Sequence, residues 1–142
     1  MRVPVTERFP EAPGLPKDIR TYMQQVDDVY VTDAYHSLSI EVYRVNAELI
    51  ERVRKRSWYT DNNEEDPEQR NALAARGYYL AYQVVRDSVT RVLKGENPGN
   101  VVDETHRTWY RELFSPSVTA GILQPADLAG YRNDQVYIRR SM

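Results

Sequence analysis

The run from about Glu68 to Lys94 constrains the fold of this chain more than any other segment. Leu73, Leu80, Val84, Val85, Val89, Val92 and Leu93 mark one apolar face at helical spacing, with Tyr78, Tyr79 and Tyr82 beside them. Pro67 suits the first turn of such a helix and Gly95 its end. Upstream, Ile19, Tyr22, Met23, Val26, Val29 and Tyr30 recur at intervals of three and four from Asp18 onward, which predicts another helix. Val31-Thr32-Asp33 reads as a break, with Thr32 or Asp33 capping a further helix through Glu41. Asn46 is a good N-cap for a short helix with Leu49, Ile50 and Val53 inward.

Asn97-Pro98-Gly99 reads as a turn, and Asp103 as the start of a helix that packs Trp109, Tyr110, Leu113 and Phe114 inward. Pro116 should break or restart it, Gly121 should close the next short turn, and Gln124 to Leu128 looks like a turn. The tail changes period: Gly130-Tyr131-Arg132, Asn133-Asp134 and Gln135-Val136-Tyr137-Ile138 read as a small β-hairpin. At the other end, Pro4, Pro10, Pro13 and Pro16 make residues 1–17 an extended arm. The expected fold is therefore mainly α, a bundle of about five to six helices over residues 18–142 with a short C-terminal hairpin.

Composition excludes several classes of function. The chain has 142 residues, enough for one domain that buries roughly two-thirds of its unfolded surface. With 19 basic and 21 acidic residues its net charge is −2, so no nucleic acid partner is called for. The basic cluster Arg52, Arg54, Lys55 and Arg56 and the acidic run Asp61 to Glu68, a solvated loop, are expected to neutralise each other. There is no cysteine, hence no disulfide, thiolate nucleophile or thiolate metal site. No apolar run is long enough for a membrane span and the N-terminus lacks a signal-peptide core, which leaves a cytoplasmic protein as the expectation. Eleven tyrosines stand against two phenylalanines and two tryptophans, a hint of contact surface, since tyrosine joins an apolar body to a polar tip.

Conventional catalytic patterns are missing. His36 and His106 lack metal-ligand spacing, and Gly95, Gly99, Gly121 and Gly130 are too scattered for a phosphate loop. No residue is assigned a catalytic or metal-binding role. On these residues alone the chain is a helical domain of unspecified role.

Three segments in order resemble the N-terminal half of the Fic (filamentation induced by cAMP) family. Ser37-Leu38-Ser39-Ile40-Glu41-Val42, followed by Tyr43-Arg44-Val45, is similar to the family's inhibitory-helix motif Ser/Thr-x-x-x-Glu-Gly/Asn. Ser37 and Glu41 match, and Val42 departs from Gly or Asn. Ala74-Ala75-Arg76-Gly77-Tyr78 leads into the long helix and Gly95-Glu96-Asn97-Pro98-Gly99. His106 to Phe114, Ala120 to Leu123 and Pro125 to Arg132 then lead into Val136-Tyr137-Ile138, which looks like the family's flap.

The resemblance implies transfer of AMP from ATP to a hydroxyl of a target protein, with ATP and Mg²⁺ needed by the complete enzyme. The family's catalytic loop, His-Pro-Phe-x-Asp/Glu-Gly-Asn-Gly-Arg, occurs nowhere in this sequence. The chain is thus expected to be a truncated regulatory and target-docking part, without cofactor and inactive by itself. Ser37 and Glu41 become candidate inhibitory residues, one helical turn apart, with Glu41 taking up the arginine that would hold the ATP γ-phosphate. Without the resemblance Glu41 is a solvated carboxylate or pairs locally with Arg44. Gly130, Tyr131, Arg132, Val136, Tyr137 and Ile138 become candidate target-docking residues, the strand edge pairing with an extended peptide.

Val42 leaves two readings open. A β-branched residue suits a positive φ poorly, so either the inhibitory helix has a weakened end or it ends elsewhere. Expected partners are the target protein of the complete enzyme and a second copy through exposed helix faces. The competing expectation is a self-sufficient helical protein-interaction module.

Overall fold

The computed structural model describes residues 7–11, 14–55 and 67–128. Within them the protein is mainly α. Helices α1 (Ile19–Ile40), α2 (Ala47–Arg54), α3 (Pro67–Leu93) and α4 (Pro98–Thr119) are followed by one 3₁₀ turn, Pro125–Leu128. Four helices among the described residues replace the expected five to six. The expected hairpin (Gly130 to Ile138), Arg56 and the acidic run before Pro67 lie outside the described residues. Residues 7–11 and 14–16 of the proline-rich arm carry neither helix nor strand.

The break expected at Val31-Thr32-Asp33 does not occur, and α1 runs through it. Asp18 supplies the N-cap, its carboxylate accepting from the Arg20 and Thr21 amides at 2.9 and 3.3 Å. Asp33, expected as a cap, instead accepts a hydrogen bond from the Tyr78 hydroxyl on α3. Burial on either side carries the helix across: Met23, Tyr30, Ala34 and Leu38 form its inner face, seven, four and four residues apart. Tyr22 and Val29, expected in that stripe, are exposed.

The short helix α2 behaves as its sequence predicts. Asn46 Oδ1 accepts from the Leu49 amide at 2.8 Å, and Ile50 and Val53 are fully buried between α1 and α3. One apolar cluster joins Leu38, Val53, Ala72 and Ala75, with Tyr43 and Val45 packed against it. A second joins Tyr30, Ala34 and Ile50, with Tyr78, Tyr79 and Tyr82. In the first cluster α3 buries the small residues Ala72 and Ala75, which let helices approach closely, whereas in the second it contributes tyrosines. The valines expected as its core, Val84, Val85, Val89 and Val92, are only half-buried.

Helices α3 and α4 form an antiparallel pair, Gly77 lying on the Leu113 backbone and Ser88 beside Thr105 and Trp109. Gly95 ends α3 with φ +102°. The next residues are the start of α4 rather than a turn. Asn97 Oδ1 accepts from the Asn100 amide at 3.1 Å, and Pro98 takes the first helical position, where its missing N–H costs nothing. The helix therefore begins five residues before Asp103.

Pro116 does not break it either. The carbonyl that Pro116 leaves without a donor belongs to Glu112, and Ser115 Oγ donates to it at 3.1 Å. Trp109, Leu113 and Phe114 are half-buried, whereas Tyr110 is exposed and meets Phe114 edge-on at 4.9 Å.

An ion pair with a phenol links the middle of α1 to α3. Arg86 donates twice to Asp27, at 2.7 and 2.9 Å, and the Tyr82 hydroxyl donates to the same carboxylate at 2.7 Å. These bonds, the one from Arg86 foremost, hold Asp27 below the ordinary carboxylate range. A lowered folded value means that its stabilisation is present above the unfolded value of about 3.9 and is lost as pH falls further. Asp27→Asn should cost about 1 kcal/mol at neutral pH, because the pair is partly solvated. It should also flatten the fall of melting temperature below about pH 4. Thermal melts of both proteins from pH 2 to 7 check this, and parallel curves would exclude Asp27 as a source of the acid dependence.

Candidate functional site

The C-terminal end of α1 carries both candidate inhibitory residues. Glu41 is the C-cap, and its amide donates to the Ser37 carbonyl at 3.3 Å. Val42 follows with φ +70°. Its amide donates to the Ser39 carbonyl and that of Tyr43 to the Leu38 carbonyl, both at 3.0 Å. Together these two bonds make a Schellman ending with valine at the left-handed position. The helix thus ends inside the Ser37–Val42 segment, and the reading in which it ends elsewhere is excluded.

The chain beyond is tied down at once. Tyr43 packs on the first apolar cluster, the Arg44 amide donates to Asn71 Oδ1 of α3 at 3.0 Å, and Asn46 caps α2.

Ser37 and Glu41 share this helix end but meet different surroundings. Ser37 turns towards α3, where its Oγ stands 3.2 Å from the Tyr78 hydroxyl. Tyr78 commits its one proton to Asp33, so Ser37 is the donor to Tyr78. Burial first, and the bond to Asp33 second, push the Tyr78 phenol up to about 12.

Glu41 is exposed, and among the described residues its carboxylate makes no hydrogen bond or ion pair; the local pair with Arg44 is not formed. It sits at the negative end of a 22-residue helix with no basic residue in the last turn. A carboxylate there is locally unfavourable and strongly drawn to any external guanidinium.

Asp33 and Tyr78 belong to this site and sequence reasoning missed them. A bond across 45 positions leaves no spacing signal. The six candidate docking residues from Gly130 to Ile138 lie outside the described residues.

A second feature is an apolar groove of about 660 Å³ between the N-terminal arm, α1, α3 and α4. Leu15, Tyr22, Val85, Val89, Val102 and Trp109 line it. Two of its polar groups bond within the protein: Trp109 Nε1 donates to Ser88 Oγ at 3.2 Å, and Ser88 donates to the Val84 carbonyl at 2.9 Å.

Neither histidine lines the groove. His106 Nδ1 bonds the Val102 carbonyl at 2.8 Å, and exposed His36 lies against the Tyr35 ring. Among the described residues no group of three or more His, Asp or Glu could hold a metal ion. No helix among them is long and apolar enough to cross a membrane. Searches with protein-family models, among curated proteins and among solved structures find no match to this chain.

Proposed function

We propose that this chain is the regulatory and target-docking part of a Fic-type protein adenylyltransferase, with Glu41 as its inhibitory carboxylate. One observation carries the reading: the backbone at position 42. The motif that Ser37 to Val42 resembles ends in Gly or Asn, the two residues that most readily adopt a left-handed conformation. Position 42 here has φ +70° at a helix end, the conformation that selects those residues. The chain departs from the pattern in its side chain while keeping the backbone that explains the pattern.

The exposed, unpaired Glu41 adds to this. Its expected partner is an arginine of the catalytic loop, and ATP with Mg²⁺ belongs to the complete enzyme rather than to these residues. The segment from Gly130 to Ile138, a hairpin by its sequence pattern, is its expected target-docking element.

The test is inhibition in trans. A catalytic core that carries the His-Pro-Phe loop is mixed with this chain, labelled ATP, Mg²⁺ and a protein acceptor. The wild-type chain should lower AMP transfer about tenfold or more, the effect of one charge-assisted contact. Glu41→Ala should restore the transfer. Equal suppression by both chains would remove Glu41 from the mechanism.

A second reading is a self-sufficient interaction module, favoured by the apolar groove. It predicts no effect of either chain on AMP transfer.

A further inference from the structure

Among the described residues three helix ends use the same pair of capping bonds, which provides an internal comparison. At the end of α3 the Gly95 amide donates to the Val92 carbonyl at 2.9 Å and the Glu96 amide to Arg91 at 3.2 Å. At the end of α4 the Gly121 amide donates to Val118 at 3.0 Å and the Ile122 amide to Ser117 at 2.9 Å. At the end of α1 the matching donors are Val42 and Tyr43. The left-handed residue is glycine in two cases, at φ +102° and +77°, and valine in the third, at φ +70°.

In the left-handed region the Cβ crowds the following carbonyl oxygen, and branching at Cβ adds to it. Glycine has no Cβ and escapes this. Val42 recovers nothing by packing, since it is 87% exposed. What imposes the conformation lies downstream: Tyr43 in the apolar cluster, the Arg44 amide on Asn71, and the α2 cap at Asn46. The turn that presents Glu41 is therefore strained on one side and anchored on the other.

We propose that Val42 makes the Glu41 turn the most readily opened of the three helix ends, a conformational release built into α1. Local opening frees the last turn while Tyr43 to Asn46 stay in place, and it moves the Glu41 carboxylate. That this tunes inhibition rests on the role given to Glu41 above; the loosening itself does not.

Native-state hydrogen exchange on the whole chain tests it, each amide being compared with its own intrinsic rate. In the wild type the Tyr43 amide should be less protected than its counterparts Glu96 and Ile122. Val42→Gly should slow Tyr43 exchange about tenfold, with Glu96 and Ile122 unchanged. Val42→Asn should give part of the same gain.

Unchanged Tyr43 protection in both variants overturns the proposal. So does a shift of equal size at all three helix ends, which would report global stability instead. If Tyr43 slows as expected yet Glu41→Ala leaves AMP transfer suppressed, the release stands and its inhibitory meaning falls. Glu41-dependent suppression with unchanged exchange gives the reverse.

Discussion

Gly77→Ala should destabilise the protein by roughly 2–3 kcal/mol, even though alanine is the better helix former. Gly77 is buried in the middle of α3, where α4 crosses it. A Cβ added there would lie 1.9 Å from the Leu113 carbonyl oxygen and 2.8 Å from its carbon. Both atoms are backbone, so no rotamer change relieves the contact and the two helices must separate. Alanine recovers about 1 kcal/mol of helix propensity, which offsets part of the overlap. Urea unfolding should show a lower midpoint with an unchanged slope. A midpoint at or above the wild-type value would mean that α3 and α4 do not meet at this position.

Tyr30 is the second position where a large effect is expected, and there the direction depends on the replacement. Its side chain is 1% exposed and packs on Tyr82, Tyr79 and Tyr78 at ring-centre distances of 4.5, 5.7 and 6.4 Å. The Arg54 guanidinium lies 5.4 Å from the ring centre. Tyr30→Ala removes the centre of the α1–α3 contact and should cost about 4 kcal/mol. Tyr30→Phe should instead be neutral or stabilise by up to ~1 kcal/mol. Among the described residues the buried hydroxyl has no hydrogen-bond partner, and burial raises the phenol well above its ordinary value. A loss of more than about 1 kcal/mol in Tyr30→Phe would show that the hydroxyl is bonded after all, for instance to a buried water.

The abundance of tyrosine reads differently once these contacts are known. As a matter of composition it suggests an outward contact surface. Tyr30, Tyr78, Tyr79 and Tyr82 are spent instead on an internal interface: the Tyr78 and Tyr82 hydroxyls donate to Asp33 and Asp27, that of Tyr79 accepts from Gln83, and that of Tyr30 has no partner among the described residues. Tyr22, Tyr35 and Tyr110 remain exposed.

Local chemistry was legible wherever its range is a few residues. Asp18 at the start of α1, Asn46 as the cap of α2, Pro67 opening α3 and Gly95 closing it all follow from short-range hydrogen bonding and φ preferences. The errors share a cause, which is that a turn signal competes with tertiary contacts that sequence does not display. Val31-Thr32-Asp33 looks like a break until Tyr78 takes the Asp33 carboxylate and Tyr30 and Ala34 are buried on either side. Pro116 looks like a stop until Ser115 supplies the missing donor. Asn97-Pro98-Gly99 has the composition of a turn and also of a capped first helical turn, and burial of Val101 selects the second.

By itself, then, the sequence determined a cysteine-free, mainly helical chain, its strongest helix, and a Ser37–Glu41 segment whose next residue breaks a Gly/Asn pattern. Those properties are local, carried by side-chain periodicity and by the φ range each residue tolerates. Only the tertiary structure decided that Ser37 faces Tyr78, which bonds Asp33, that Glu41 is left exposed and unpaired among the described residues, and that Val42 is held left-handed. The physical reason is the distance of the partners along the chain. Ser37 meets a residue 41 positions away, and the Arg44 amide one 27 positions away. Bonds of that separation exist only after α1, α2 and α3 have packed.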